Sequence, residues 1–171
     1  MPTYPIELDL TGRLALVVGL GAVGRRKASG LLESGARVLG IDPAVLEAPI
    51  GVELRVEPYR AGHLEGVSLA FAAATAEVNR WVVADARRLG VWVNSASDPG
   101  SGDFALPATW RDGPLTLTVS TSGASPALAS ALRDRAKMAL GASAGALAAI
   151  LAESGPRSSP GSTPRPIVGG C

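Results

Sequence analysis

The sequence predicts an α/β chain built on a parallel sheet wound in both directions, and three observations carry that prediction. Apolar runs at Leu14–Val18, Val38–Ile41, Val67–Ala73 and Val91–Asn94 alternate with segments of helical periodicity. Continuous apolar runs mark strands covered on both faces, as parallel strands joined by crossover helices are. The first run ends at Gly19, and Gly19, Gly21 and Gly24 then fall at the spacing GxGxxG ahead of a helical segment, the context in which that motif points to a dinucleotide.

The elements follow in order. Thr11-Gly12 is a turn delivering the first strand, and a helix is expected from Ala22 to Ser34, with Ala28, Leu31 and Leu32 towards the sheet and Gly35 as its stop. The second strand closes at Asp42, and Val52 to Val56 alternates as a third strand near the sheet edge. After the run at Val67–Ala73, Thr75 can cap a helix over Ala76 to Leu89, which Gly90 ends. Beyond Asn94 the segment SASDPGSGD, residues 95 to 103, is a cluster of turn formers at the carboxyl end of a central strand, where ligands bind in such sheets. Leu115 to Ser120 alternates as a strand outside the parallel sheet. Ser125 and Pro126 then open a helix as N-cap and first residue, and an alanine-rich helix from Ala142 to Glu153 is expected to pack on it. The domain organisation expected is a Rossmann-type unit over 1–112, a small strand-plus-helix unit over 113–153, and a Ser/Pro/Gly tail over 154–171 without fixed structure.

In the glycine segment, Gly19 lets the chain turn out of the strand, Gly21 lets the backbone approach a pyrophosphate, and Gly24 lets the helix pack on the strand. The free N–H groups at the helix start, from Ala22 and Val23 onward, face the phosphates. Asp42, followed by Pro43, stands where an acid holds the adenosine ribose hydroxyls. It would repel a 2′-phosphate, and no basic residue follows in Pro43 to Pro49, so NAD is expected over NADP. Asn94 lies at the same edge. Thr121, Ser122 and Ser125 converge hydroxyls on a second helix start, a place for a carboxylate or phosphate.

Composition removes several other classes. The 171 residues are 47% hydrophobic and 18% charged, with sixteen basic and fifteen acidic side chains for a net charge of +1, so a nucleic-acid surface is not expected. The single cysteine, Cys171, supports neither a disulfide framework nor a zinc or iron–sulfur ligand set, and a reducing cytoplasm is the expected compartment. No apolar run approaches the ~20 residues that span a bilayer, and neither a signal peptide nor a membrane partner is expected. His63 reads as an exposed loop residue with nothing to pair with, and Trp81 and Trp92 read as core.

Four blocks together carry a family resemblance: YPIELDLTGRLALVVGLGAVGRRKA from residue 4, FAAATAEVNR at 71–80, VNSASDPGSGDFALPA at 93–108 and GPLTLTVSTSGASPALASALRD at 113–134. Over about residues 4 to 150 the chain resembles the precorrin-2 dehydrogenase and sirohydrochlorin ferrochelatase family, the N-terminal module of siroheme synthase. The resemblance implies NAD-dependent removal of two electrons from the tetrapyrrole precorrin-2, in some members followed by Fe²⁺ insertion, and an intertwined homodimer. It also implies an aspartate for proton transfer at position 97, where this chain has Ser97, with Asp98 adjacent. That departure leads us to expect a dehydrogenase with weak or absent ferrochelatase activity. The alternative from another class is a non-catalytic NAD-sensing regulatory module, which shares the glycine loop and the acid but does not require TSGASP. A short-chain dehydrogenase is disfavoured, because neither Tyr4 nor Tyr59 is followed by a lysine four residues later.

Overall fold

The computed structural model describes residues 3–141 and 143–154. Ser154, expected to begin the tail, instead ends the last helix, and residues 155–171, Cys171 among them, lie outside the described residues. The chain divides between Leu106 and Pro107 into two compact units.

The first unit is a five-stranded parallel sheet in the order β3-β2-β1-β4-β5, from β1 (Leu14–Val18), β2 (Arg37–Ile41), β3 (Val52–Arg55), β4 (Leu69–Ala72) and β5 (Trp92–Ser95). The order reverses between β1 and β4, which is the topological switch point of a Rossmann-type sheet. Helix α1 (Ala22–Glu33) joins β1 to β2, and α2 (Ala76–Leu89) joins β4 to β5. Each covers its own side. Ala15, Val17 and Phe71 pack with Ala28 and Leu31 of α1, whereas Leu16, Val18, Ala70 and Ala72 pack with Val82, Val83 and Ala86 of α2. The alternation along β1 thus feeds two cores, and each large side chain fully removed from water there contributes about 1.5–3 kcal/mol.

Local signals set the ends of α2 where the sequence places them. Thr75 accepts the Val78 N–H, and Gly90 closes the helix at φ 70°. Two tryptophans depart from expectation: Trp81 and Trp92 are 53% and 47% exposed. Trp81 falls on the outer side of α2, out of phase with the buried Val82, Val83 and Ala86, and Trp92 begins the edge strand β5. His63 also departs, for its side chain is only 8% exposed and is paired. Nδ1 accepts the Arg60 N–H at 3.1 Å and Nε2 lies 3.2 Å from Glu57 Oε1. Tyr59 meets the His63 ring edge-on and donates to Asp85 Oδ2 at 3.2 Å. Burial, and then the Asp85 charge, push its phenol above the ordinary tyrosine value.

In the second unit the strand Leu115–Val119 (β7) pairs antiparallel with Ala108–Asp112 (β6), a partner the sequence reading missed. Gly113, at φ 55°, opens a two-residue hairpin loop that favours that sign of φ. Helix α3 (Pro126–Leu140) lies against both strands, and so does α4 (Ala144–Ser154). Packing of the last helix on the hairpin was not part of the sequence expectation, which set that helix against α3. The Gly145 N–H donates to Asp112 Oδ2 at 2.9 Å, which fixes the start of α4 to the hairpin.

Candidate functional site

The glycine loop leaves β1 at Gly19, whose N–H donates to the Ile41 carbonyl at 2.8 Å. Gly19 has φ 89°, and a Cβ there would stand 2.6 Å from the Ala73 carbonyl and Ala74 nitrogen in the β4–α2 loop. A Cβ at Gly24 would overlap the Gly19 carbonyl oxygen. Both glycines are thus required by backbone contact within the protein. Gly21 differs: a Cβ there meets nothing within 4 Å, so its side faces open space.

Helix α1 begins after Gly21 with no side-chain cap and no acidic residue in its first turn. By contrast α2 carries Thr75 and Glu77, and α3 carries Ser125. The first amides of a helix need acceptors, and their dipole favours an anion. Open space at Gly21 and a capless start at Ala22, Val23 and Gly24 together make a cradle that a dinucleotide pyrophosphate fits.

Asp42 ends β2 beside this loop. Its Oδ2 accepts the Leu20 N–H at 2.8 Å, and its Oδ1 accepts Ala44 and Val45 N–H at 2.9 and 3.2 Å. The carboxylate is thereby fixed, with one acceptor position on Oδ2 left for a ribose hydroxyl. Pro43 is exposed in the following turn. Arg25, which sequence reading did not single out, bonds the Leu20 and Glu47 carbonyls at 2.9 and 2.6 Å and ties the glycine loop to the segment after Asp42.

The far side of the edge is held by buried polar groups. Asn79, 1% exposed, accepts the Ala74 N–H at 2.9 Å and donates to the Ala74 carbonyl at 3.2 Å and to Ser97 Oγ at 3.0 Å. It joins the β4–α2 loop to the segment after β5. An asparagine in helical phase with Val82, Val83 and Ala86 was the sequence signal for it. Asn94 is 7% exposed and engaged at both ends of its amide: Oδ1 accepts from Lys27 Nζ at 2.9 Å, and Nδ2 donates to the Phe104 carbonyl at 2.8 Å. Lys27 Nζ also lies 4.8 Å from the centre of the Phe71 ring. Burial, and behind it the charge of Arg26, push this ammonium below the ordinary lysine value.

The turn-rich segment after β5 is ordered by its own side chains. Asp98 caps the short turn Pro99–Ser101 by accepting the Gly100 N–H at 3.1 Å, and its own N–H donates to Ser95 Oγ at 3.3 Å. The chain then folds back: Val93 N–H donates to Asp103 Oδ2 at 2.9 Å and Asp103 N–H donates to the Val93 carbonyl at 2.7 Å. Ser97 and Asp98 are both exposed near the carboxyl end of β5.

In the second unit Thr121 Oγ1 accepts the Ser125 N–H at 3.1 Å and donates to the Ser125 carbonyl at 3.0 Å, while Ser125 Oγ accepts the Leu128 N–H at 3.2 Å. Two of the three predicted hydroxyls are thus spent on shaping the turn and capping α3. Ser122, exposed and at φ 52°, has no side-chain bond among the described residues. The described residues also contain no group of three or more His, Cys, Asp or Glu able to hold a metal ion.

Comparison with known proteins matches residues 6–108 to a family model for NAD(P)-binding and residues 112–135 to the central part of sirohaem biosynthesis proteins. Siroheme synthase of Nitrosomonas europaea is 35% identical over 157 residues, covering 86% of this chain and 33% of that protein. Siroheme synthase 1 of Halorhodospira halophila is 39% identical over 160 residues, covering 88% and 33%. The chain spans about a third of the length of these curated relatives. Among solved structures, that of SirC, precorrin-2 dehydrogenase, superposes with a TM-score of 0.71 at 27% identity, covering 88% of this chain and 78% of that one.

Proposed function

Because the chain belongs to the NAD(P)-binding family of siroheme biosynthesis, represented by the N-terminal module of siroheme synthase, we propose that it oxidises precorrin-2 to sirohydrochlorin with NAD. The observation that carries this reading is the extent of the likeness to SirC, which covers 88% of the chain and so runs past the dinucleotide fold into the hairpin and helices. A dinucleotide fold by itself would suit many reactions.

When bound, NAD supplies the acceptor for a hydride. This chain's residues do the holding. The amides of Ala22, Val23 and Gly24 bind the pyrophosphate across Gly21, and Asp42 binds the adenosine ribose. Asn94 shapes the nicotinamide side by tying α1 to Phe104. Ser122 and the N-terminus of α3 hold carboxylates of the substrate, in a turn that Thr121 and Ser125 keep in shape. Such positioning accounts for much of a two-reactant rate, so hydride transfer does not depend on a carboxylate at position 97. Metal insertion does need a base for the departing macrocycle protons, and neither Ser97 nor the capping Asp98 is placed as a strong one.

Anaerobic incubation with precorrin-2 should produce NADH, and NADPH formation from NADP should be slower by about tenfold or more. That is the scale expected when a carboxylate faces a phosphate instead of two hydroxyls. No NADH above the protein-free rate would overturn the assignment, and a preference for NADP would overturn the role of Asp42 alone.

The working form is a homodimer assembled through residues from about 113 to 150, in a reducing cytoplasm. Leu128, Leu132, Met138, Leu140, Leu147 and Ile150 are all at least 41% exposed within the second unit, more apolar surface than a unit this small leaves facing water. The mass in solution at micromolar concentration should be twice that of the chain, and a monomer would sink the proposal.

A further inference from the structure

In the scheme above Lys27 enters only as the α1 end of the Asn94 tie, yet its surroundings are unusual. It sits on α1, half-buried, with its ammonium on Asn94 Oδ1 at 2.9 Å and 4.8 Å from the centre of the Phe71 ring. The neighbouring charge that acts on it is the like charge of Arg26, and among the described residues no acidic side chain forms an ion pair with it. A cation so held is weakly screened by water, so its field extends towards the carboxyl ends of the neighbouring strands. Its height in the fold is fixed by register: Phe71 of β4 pairs with Asn94 of β5, one step short of the carboxyl ends at Ala72 and Ser95. Asp42 lies on the opposite side of the switch point, at the end of β2. A dinucleotide whose adenosine half is at Asp42 and whose pyrophosphate is at Gly21 extends its nicotinamide half towards β4 and β5, the side where Lys27 stands.

We propose that Lys27 selects the redox state of the bound cofactor: its fixed positive charge beneath the ends of β4 and β5 makes the site hold NADH more tightly than NAD⁺. The oxidised ring is a cation and the reduced ring is neutral, so the same ammonium repels one and not the other. A stronger grip on the reduced form draws a bound pair towards hydride acceptance. This rests on the dinucleotide reading of the site, but its sign and its residue are separate from that reading.

The test is equilibrium binding to the whole chain, with NADH followed by fluorescence and NAD⁺ and ADP-ribose by displacement. Lys27→Met should lower the ratio Kd(NAD⁺)/Kd(NADH) on the order of tenfold, the scale of one unit charge acting on another at an effective dielectric of about 20. For a two-electron couple tenfold corresponds to about 30 mV. The affinity for ADP-ribose, which lacks the nicotinamide, should stay the same, and Lys27→Arg should restore the ratio. Lys27→Gln keeps an N–H for Asn94 without the charge and should behave as Lys27→Met, which covers the case that the methionine variant does not fold. A ratio that does not move overturns the proposal. So does an equal loss for all three ligands, since Lys27 would then only clasp Asn94. A ratio that shifts in the Lys27 variants, together with unaltered protein that fails to oxidise precorrin-2, would leave this inference standing and remove the assigned reaction.

Discussion

Replacing Gly19 by alanine should abolish dinucleotide binding and lower the stability of the first unit by about 3 kcal/mol, the sum of a left-handed backbone for an L residue and an overpacked contact. The contact partners are the backbone atoms of Ala73 and Ala74, which cannot rotate aside as a side chain would. They also belong to the loop that Asn79 holds, so the displacement would spread towards Ser97. Thermal unfolding should fall by on the order of 10 °C. Gly21→Ala is the matched comparison. Its Cβ meets no protein atom and Gly21 has φ −64°, so the melting temperature should stay within about 2 °C. Its dinucleotide Kd should nevertheless rise tenfold or more, because the added methyl occupies the pyrophosphate's approach. Unchanged melting in Gly19→Ala would contradict the backbone contact, and unchanged affinity in Gly21→Ala would contradict the cradle.

The second large effect is expected at Ser97, where Ser97→Asp should raise Fe²⁺ or Co²⁺ insertion into sirohydrochlorin by on the order of a hundredfold, the scale of a positioned general base. NADH formation should change far less. The site is ready to receive the carboxylate, because Asn79 Nδ2 already donates to the side-chain oxygen at this position and is itself held by Ala74. Asp98 is expected to contribute less, since its Oδ1 is bound to the Gly100 N–H and its backbone to Ser95 and Ser101. Unaltered protein that inserts metal well above the spontaneous rate, with Asp98→Ala leaving that rate untouched, would show that the base lies elsewhere.

How far the sequence could be read follows from where each signal is stored. The Rossmann-type sheet was legible because parallel strands buried on both faces leave continuous runs such as LALVV and LAFA, and because Thr75 and Gly90 write the ends of α2 locally. The glycines and Asp42 were legible for the same reason: their spacing is short and fixed by the turn. Strand β6 was missed because ATWRD carries few apolar residues and is defined mainly by its hairpin partner. His63 was misjudged because Glu57 and the Arg60 amide are set around it by the chain's local path and not by any recognisable motif. The clasps were the least accessible. Lys27 meets Asn94 across 67 residues and Asn79 meets Ser97 across 18, and nothing in either stretch announces the other.

The fold-back after β5 has a consequence beyond the ligand edge. β5 is the terminal strand of the sheet, and such a strand normally presents a row of unpaired amides and carbonyls along which another chain could align. Here the Val93 N–H and carbonyl are both taken by Asp103, and the chain lies so close that a Cβ at Gly102 would stand 2.9 Å from the Val93 oxygen. The carboxylate among these groups is itself a deterrent to strand addition, since an incoming backbone would bring carbonyl oxygens against a negative charge. The aspartate at 103 and the glycine at 102 therefore act as a stopper against amyloid-like sheet growth at this edge. That protection is built from the same ten-residue stretch, 94–103, that carries Ser97.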